Sequence, residues 1–228
     1  MQRLIVSAVL ATLYCAAVPA APVDEHVRGT ILSVTPETLI VRTSSGASVS
    51  LTLNGETHYL QVVRSSLDKI QPGSYIGTAT KDVGSNLVAL EVMIFPAAMK
   101  GLNAGHFPYD QLPDTTLADG TTTTASVMTN GDVSAVTAPP AANVNTTMTN
   151  GNVSASGSKN GVKHLTVTYQ GGQQTILVPP TAPIVNLLPG SIGDLSQGAY
   201  VFVDTAQNGS SLTAGLVATG VGGLKPPF

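Results

Sequence analysis

Chemistry has few places to start in this chain, because only 10% of its residues are charged and its single cysteine, Cys15, lies in an N-terminal apolar run. Of the four histidines, His26, His58, His106 and His164, none stands near another at the spacing of a metal-binding pair. The pairing that could do chemistry is His106 with Asp110, in Gly105-His106-Phe107-Pro108-Tyr109-Asp110. An imidazole and a carboxylate this close can supply two ligands of an open metal site, with a remote Asp or Glu as the third. The same side chains could instead satisfy backbone groups of an ordered crossover loop, with Tyr109 packed on a barrel. Hydrolysis has no foothold: there is no Gly-x-Ser-x-Gly elbow, no His-Glu-x-x-His and no carboxylate pair framed by aromatics. The chain reads as a non-enzyme without a cofactor. Its candidate metal residues are His106 and Asp110.

Location follows from the first 20 residues. Arg3 gives a positive start, Leu4 to Ala17 is an apolar run, and Val18-Pro19-Ala20 offers small residues for cleavage after Ala20. About 20 apolar residues are needed to span a bilayer, and this run is shorter. The expectation is a soluble periplasmic protein. That leader holds one of the ten basic residues and none of the thirteen acidic ones, so its loss takes the formal charge from −3 to −4. It also takes the cysteine, and with it any thiol chemistry. An acidic, exported chain with no Trp and 4% aromatics does not suit nucleic acid. The partners that fit are a protein or cell-envelope component, with a metal ion as the other option.

The elements that must position these residues repeat at a spacing of about 125 residues. Thr38-Leu39-Ile40-Val41 matches His164-Leu165-Thr166-Val167. Gln71-Pro72-Gly73-Ser74-Tyr75 matches Ser196-Gln197-Gly198-Ala199-Tyr200, and Leu87-Val88-Ala89 with Val92 matches Leu212-Thr213-Ala214 with Val217. Period-two alternation bounded by Gly, Pro and Asn predicts short strands at Val27–Val34, Thr38–Thr43, Ser48–Leu53, Tyr59–Val63, Ser74–Thr80 and Leu87–Phe95. A helical turn falls at Ser65 to Ile70. The second copy predicts Gly151–Ala155, His164–Tyr169, Thr175–Val178, Ile184–Leu188, Ala199–Val203 and Leu212–Thr219. Short strands leave costly edges, so each copy is expected to close into a small barrel. The fold class is therefore all-β, two tandem OB-like β-barrels from an internal duplication.

The last strand of each copy switches parity, which a β-bulge near Leu90-Glu91 and near Gly215-Leu216 would resolve by turning every apolar position inward. Glu91 is then expected to face solvent. One core should hold Leu39, Val41, Leu51, Tyr75, Leu87 and Ala89, and the other Leu165, Val167, Leu177, Tyr200, Leu212 and Ala214.

Residues 1–20 are the signal peptide, 21–96 the first barrel, 97–147 a crossover segment and Thr/Ala-rich linker, 148–220 the second barrel, and 221–228 a tail. The apolar part of the crossover, Phe95 to Asp110, should pack across both barrels with Phe107 and Tyr109 as anchors. The Thr-rich stretch after it should move, with nothing in Ala138 to Asn145 able to build a core. Within it Met128-Thr129-Asn130-Gly131 echoes Met148-Thr149-Asn150-Gly151, one copy of which should open the second barrel.

Several of these runs, Val27-Arg28-Gly29-Thr30-Ile31, Ile94-Phe95-Pro96, Gly105 to Asp110, Val178-Pro179-Pro180 and Pro226-Pro227-Phe228, resemble a family of exported bacterial proteins of unknown function. The likeness spans most of the chain after the leader. It implies an OB-like fold and no established chemistry. The family often carries the label metal ABC transporter permease, yet a permease needs several spanning helices and this sequence offers none. The chain differs from that family in having Tyr109 where a Trp is more usual. Two functions stay open: an interaction module, or a metal-handling accessory protein using His106 and Asp110.

Overall fold

The computed structural model describes residues 24–118, 122–137, 162–209 and 211–228. The expected signal peptide, the predicted strand Gly151–Ala155 and the stretch Ala138 to Asn145 lie outside them. The fold of the described residues is all-β, with 61% of them in strands. Its strands are β1 (Asp24–Val34), β2 (Thr38–Thr43), β3 (Ser48–Thr52), β4 (His58–Arg64), β5 (Tyr75–Val83), β6 (Asn86–Ile94), β7 (Gly105–Pro113), β8 (Thr123–Thr137), β9 (Lys163–Tyr169), β10 (Gly172–Val178), β11 (Ile184–Pro189), β12 (Tyr200–Asn208) and β13 (Ser211–Gly220). Most of the predicted strands fall within a residue or two of these bounds. The exceptions are β1, β5, β10 and β12, each of which is longer. The helical turn is a 3-10 turn at Leu67–Lys69.

Hydrogen bonding closes two circuits of five strands. In one, β1, β2 and β3 form an antiparallel meander, β3 pairs in parallel with β13, and β13 pairs with β12, which returns to β1. In the other, β8, β9 and β10 form the meander, and β6 and β5 complete the ring. Both have the strand order of an OB-like Greek-key barrel. The barrels are not assembled from residues 21–96 and 148–220, as the sequence suggested. Each takes its closing hairpin from the other half of the chain: β12–β13 completes the N-terminal meander, and β5–β6 the later one. The pattern of apolar residues sets which face of a hairpin is buried, but two hairpins with the same pattern can close either ring. Between the rings β4 pairs antiparallel with β11, β4 in parallel with β13 and β11 in parallel with β6, so one sheet runs through both.

Three apolar clusters follow. Ile31, Leu39, Val41 and Leu51 pack with Val203, Ala214 and Val217 in the first barrel. Ile76, Ala89 and Val92 pack with Leu165, Val167 and Ile176 in the second. A third cluster, with Leu60, Val62, Leu90, Met93, Leu187 and Phe202, lies between the barrels. The expected cores are thus exchanged along with the hairpins. Other assignments also move: Ile176 rather than Leu177 is fully buried, Leu87 and Leu212 are only partly buried against their clusters, Tyr200 is 40% exposed, and Tyr75 sends its hydroxyl to the Leu102 carbonyl at 2.6 Å.

Both bulges occur where parity required them. Glu91 and Ala89 pair with consecutive residues of β5, leaving Leu90 as the extra residue, and Leu216 and Ala214 do the same around Gly215. Threonine hydroxyls satisfy the irregular carbonyls, from Thr115 to Leu90 O at 2.6 Å and from Thr57 to Ala214 O at 2.8 Å. Strand β8 is a departure. The Thr-rich stretch expected to move supplies fifteen residues that open the second barrel, so the first of the two echoed runs holds that place. Thr, Val and Ser alternate well there despite the linker-like composition.

Candidate functional site

The site grows from β7, an edge strand bonded only to β8. Pairing runs from Gly105↔Asn130 to Pro108↔Val127 and resumes at Gln111↔Ala125, so Tyr109 and Asp110 bulge out against the single residue Ser126. Ser126 Oγ donates to the Asp110 carbonyl at 2.7 Å and fixes the bulge. The bulge re-aims Asp110 at the other barrel, where period two puts His26 and Arg28 on the outer face of β1. Asp110 Oδ2 lies 2.7 Å from His26 Nδ1 and 2.6 Å from Arg28 Nη2. Burial pushes the Asp110 carboxyl up, but the hydrogen bonds from His26 and Arg28 outweigh it and hold the group below the usual carboxylate range. The crossover thereby ties the barrels together through Asp110, with Tyr109 packed on the central cluster; Phe107, expected as the second anchor, is instead 36% exposed, because it lies on an edge strand paired on one side only.

Beneath this bridge sits a buried polar group the sequence reading placed in solvent. Glu91 is 1% exposed, because the bulge that turns Val92 into the barrel turns Glu91 toward the space between the barrels. Its Oε1 has no hydrogen-bond partner, nor has the buried Arg28 Nε. Burial pushes the Glu91 carboxyl up to about 8; Arg28 opposes this and Asp110 adds to it. Tyr109 is also raised, first by burial and then, against Arg28, by Glu91, Asp110 and Asp204. Arg28 lies with its guanidinium 5.0 Å from the centre of the Phe202 ring. His26 packs between Tyr109 and Phe202, at 5.3 and 5.2 Å.

These groups flank a cavity of about 590 Å³ between the barrels. Its apolar wall includes Leu60, Met93, Met128, Leu187, Phe202 and Phe228, and Phe95, Met99 and Phe107 line it from the crossover side. Polar groups enter at His26, Asp110, Asp204, Asn103 and Asn130. A second cavity, of about 480 Å³, lies among Arg64 to Leu67, residues 180–185 and the segment near Lys225. A small one of about 120 Å³ holds Glu91 under Lys225, Pro226 and Pro227.

His106 and Asp110 receive different partners. His106 Nδ1 is 2.8 Å from Thr129 Oγ1, and its ring stacks on Tyr169 with centroids 6.3 Å apart, whereas Asp110 is engaged by the first barrel. Among the described residues no group of three or more His, Cys, Asp or Glu could hold a metal ion, so a third ligand for this pair is not supplied. Sequence reasoning missed His26, Arg28 and Glu91. The alternation of β1 put His26 and Arg28 on one face, but nothing local said that β7 would cover it. Among the described residues no helix is long and apolar enough to cross a membrane. Set against protein-family models, curated proteins and solved structures, the chain matches none of them.

Proposed function

We propose that this is an exported, non-enzymatic binding protein that takes an apolar small molecule into the cavity between its barrels. The observation that carries the reading is the cavity: about 590 Å³ with methionine, leucine and phenylalanine walls and polar side chains at His26, Asn103, Tyr109, Asp110, Asn130 and Asp204. Small-molecule sites have this size and lining, and methionine side chains re-pack around ligands of different shape. The leader pattern of Met1 to Ala20 supports export to the periplasm. The matching order of pairings in the two rings, with a bulge at the same place in each closing hairpin, supports an internal duplication.

Periplasmic protein whose measured mass places its N-terminus at Ala21 is titrated with Nile red, a neutral dye that brightens in apolar surroundings. Saturable, blue-shifted fluorescence is expected from the wild type. Leu216→Trp and Met99→Trp, both partly buried on the cavity wall, should fill the space and weaken binding while the far-ultraviolet circular dichroism is unchanged. No saturable signal from the wild type, or undiminished binding by both variants, overturns the reading.

A further inference from the structure

The cavity wall is chemically one-sided, and this decides what kind of apolar molecule it would take. Among the described residues that line it there is no Lys or Arg. Its polar groups are mainly acceptors. Asn130 is 6% exposed, and its Nδ2 donates to Asn103 O at 3.1 Å, which fixes the amide orientation. Asn130 Oδ1 then lies over Gly77, where a Cβ would come within 2.5 Å, and has no hydrogen-bond partner. A buried amide oxygen without a donor is costly, and a ligand N–H would relieve it. Two carboxylates share the lining: Asp110, held by His26 and Arg28, and Asp204, whose side chain is 46% exposed and 3.8 Å from His26 Nε2. The nearby Arg28 is turned onto Asp110 and the Phe202 face, so its charge is spent before it reaches the lining. The rings of Phe95, Tyr109 and Phe202 also line it, Phe202 with Arg28 already over its face. An anionic head would meet two carboxylates and a carbonyl oxygen instead.

Resting on the binding reading above, we propose that the ligand is an aliphatic ammonium amphiphile. Its chain fills the space between the barrels, and its charged nitrogen donates to Asn130 Oδ1 in the field of Asp204 and Asp110. The test is calorimetry at pH 7 on the same wild-type protein starting at Ala21 with dodecylamine, dodecanol and dodecanoate, each below its micelle concentration. The amine, protonated at that pH, should bind about tenfold more tightly than the alcohol, and the carboxylate most weakly. Asp204→Asn and Asn130→Ala should each shrink the preference for amine over alcohol, with alcohol binding as a check that the cavity is intact. Alcohol or carboxylate binding as tightly as the amine overturns the head-group assignment and leaves the apolar cavity standing. Failure of all three together with Nile red overturns the binding reading itself.

Discussion

Glu91 shows how one backbone irregularity decides the state of a side chain. Strict alternation would have set it on the inward face with Leu87 and Ala89, and the bulge at Leu90 turns it off that face, into the space between the barrels rather than into solvent, with an unpartnered oxygen. With its carboxyl raised to about 8 by burial, Glu91 binds a proton in the fold that it releases in the unfolded chain over a pH window starting near 4.5. Stability from this group is therefore fully present below the unfolded value and is lost as the pH rises through about 8. Asp110 has the opposite sign: its carboxyl is held low, so its contribution is present at neutral pH and lost as the pH falls below the ordinary carboxylate range. The two windows do not overlap. From about pH 5 to about pH 9 the urea midpoint should fall for the wild type relative to Glu91→Gln, which cannot ionise. Parallel curves for the two proteins would show that Glu91 is ionised in the fold or reached by water.

At the scale of elements, each barrel needs one place where two strands pass too closely for a side chain. In β1 a Cβ on Gly29 would lie 2.1 Å from the Arg42 carbonyl oxygen, and in β8 a Cβ on Gly131 would lie 2.3 Å from that of Thr168. Both obstacles are backbone atoms, which cannot rotate away. Each glycine stands two residues before a register shift in its own strand, after Ile31 in β1 and after Val133 in β8, where the meander bends to close. Gly29→Ala should cost about 1–3 kcal/mol or more, the scale of a forced overlap in a packed interior. Gly55→Ala, in a turn with open space around the new carbon, should change stability by less than about 0.5 kcal/mol. Denaturant unfolding compares them, and equal effects would mean that the β1–β2 approach is wider than described.

For the whole molecule, the exchange of closing hairpins makes neither half of the chain self-sufficient. Thr30 faces Tyr200 across the β1–β12 ladder, whereas a barrel closed within the N-terminal half would set Thr30 against Tyr75. In the protein that starts at Ala21, and so lacks Cys15, Thr30→Cys with Tyr200→Cys should oxidise to an intramolecular disulfide, seen as a shift in non-reducing gel mobility. Thr30→Cys with Tyr75→Cys should stay reduced. The reverse pattern would mean that each half closes its own ring. The exchange also explains the cavity: crossed hairpins hold the two barrels side by side, β7 roofs the gap, and Phe228 packs edge-on against Phe202 at 5.0 Å within it.

What the sequence determined by itself was local. Alternating Leu39, Val41 and Leu51, the turns at Gly73 and Gly198 and the parity switches at Ala89 and Ala214 placed most strands and both bulges, because side-chain period and turn chemistry act within a few residues. The crossover could be read as a packing segment from its Phe, Met and Tyr content. Tertiary structure alone decided the partners. Two hairpins of like pattern satisfy either ring, so the exchange was not written in any single strand. The strand β8 hid in a Thr-rich stretch because β-branched polar residues suit both a linker and a half-buried ladder. The polar cluster of His26, Arg28, Glu91 and Asp110 joins residues up to 84 positions apart. It exists only because a bulged edge strand from one barrel is laid across the outer face of the other.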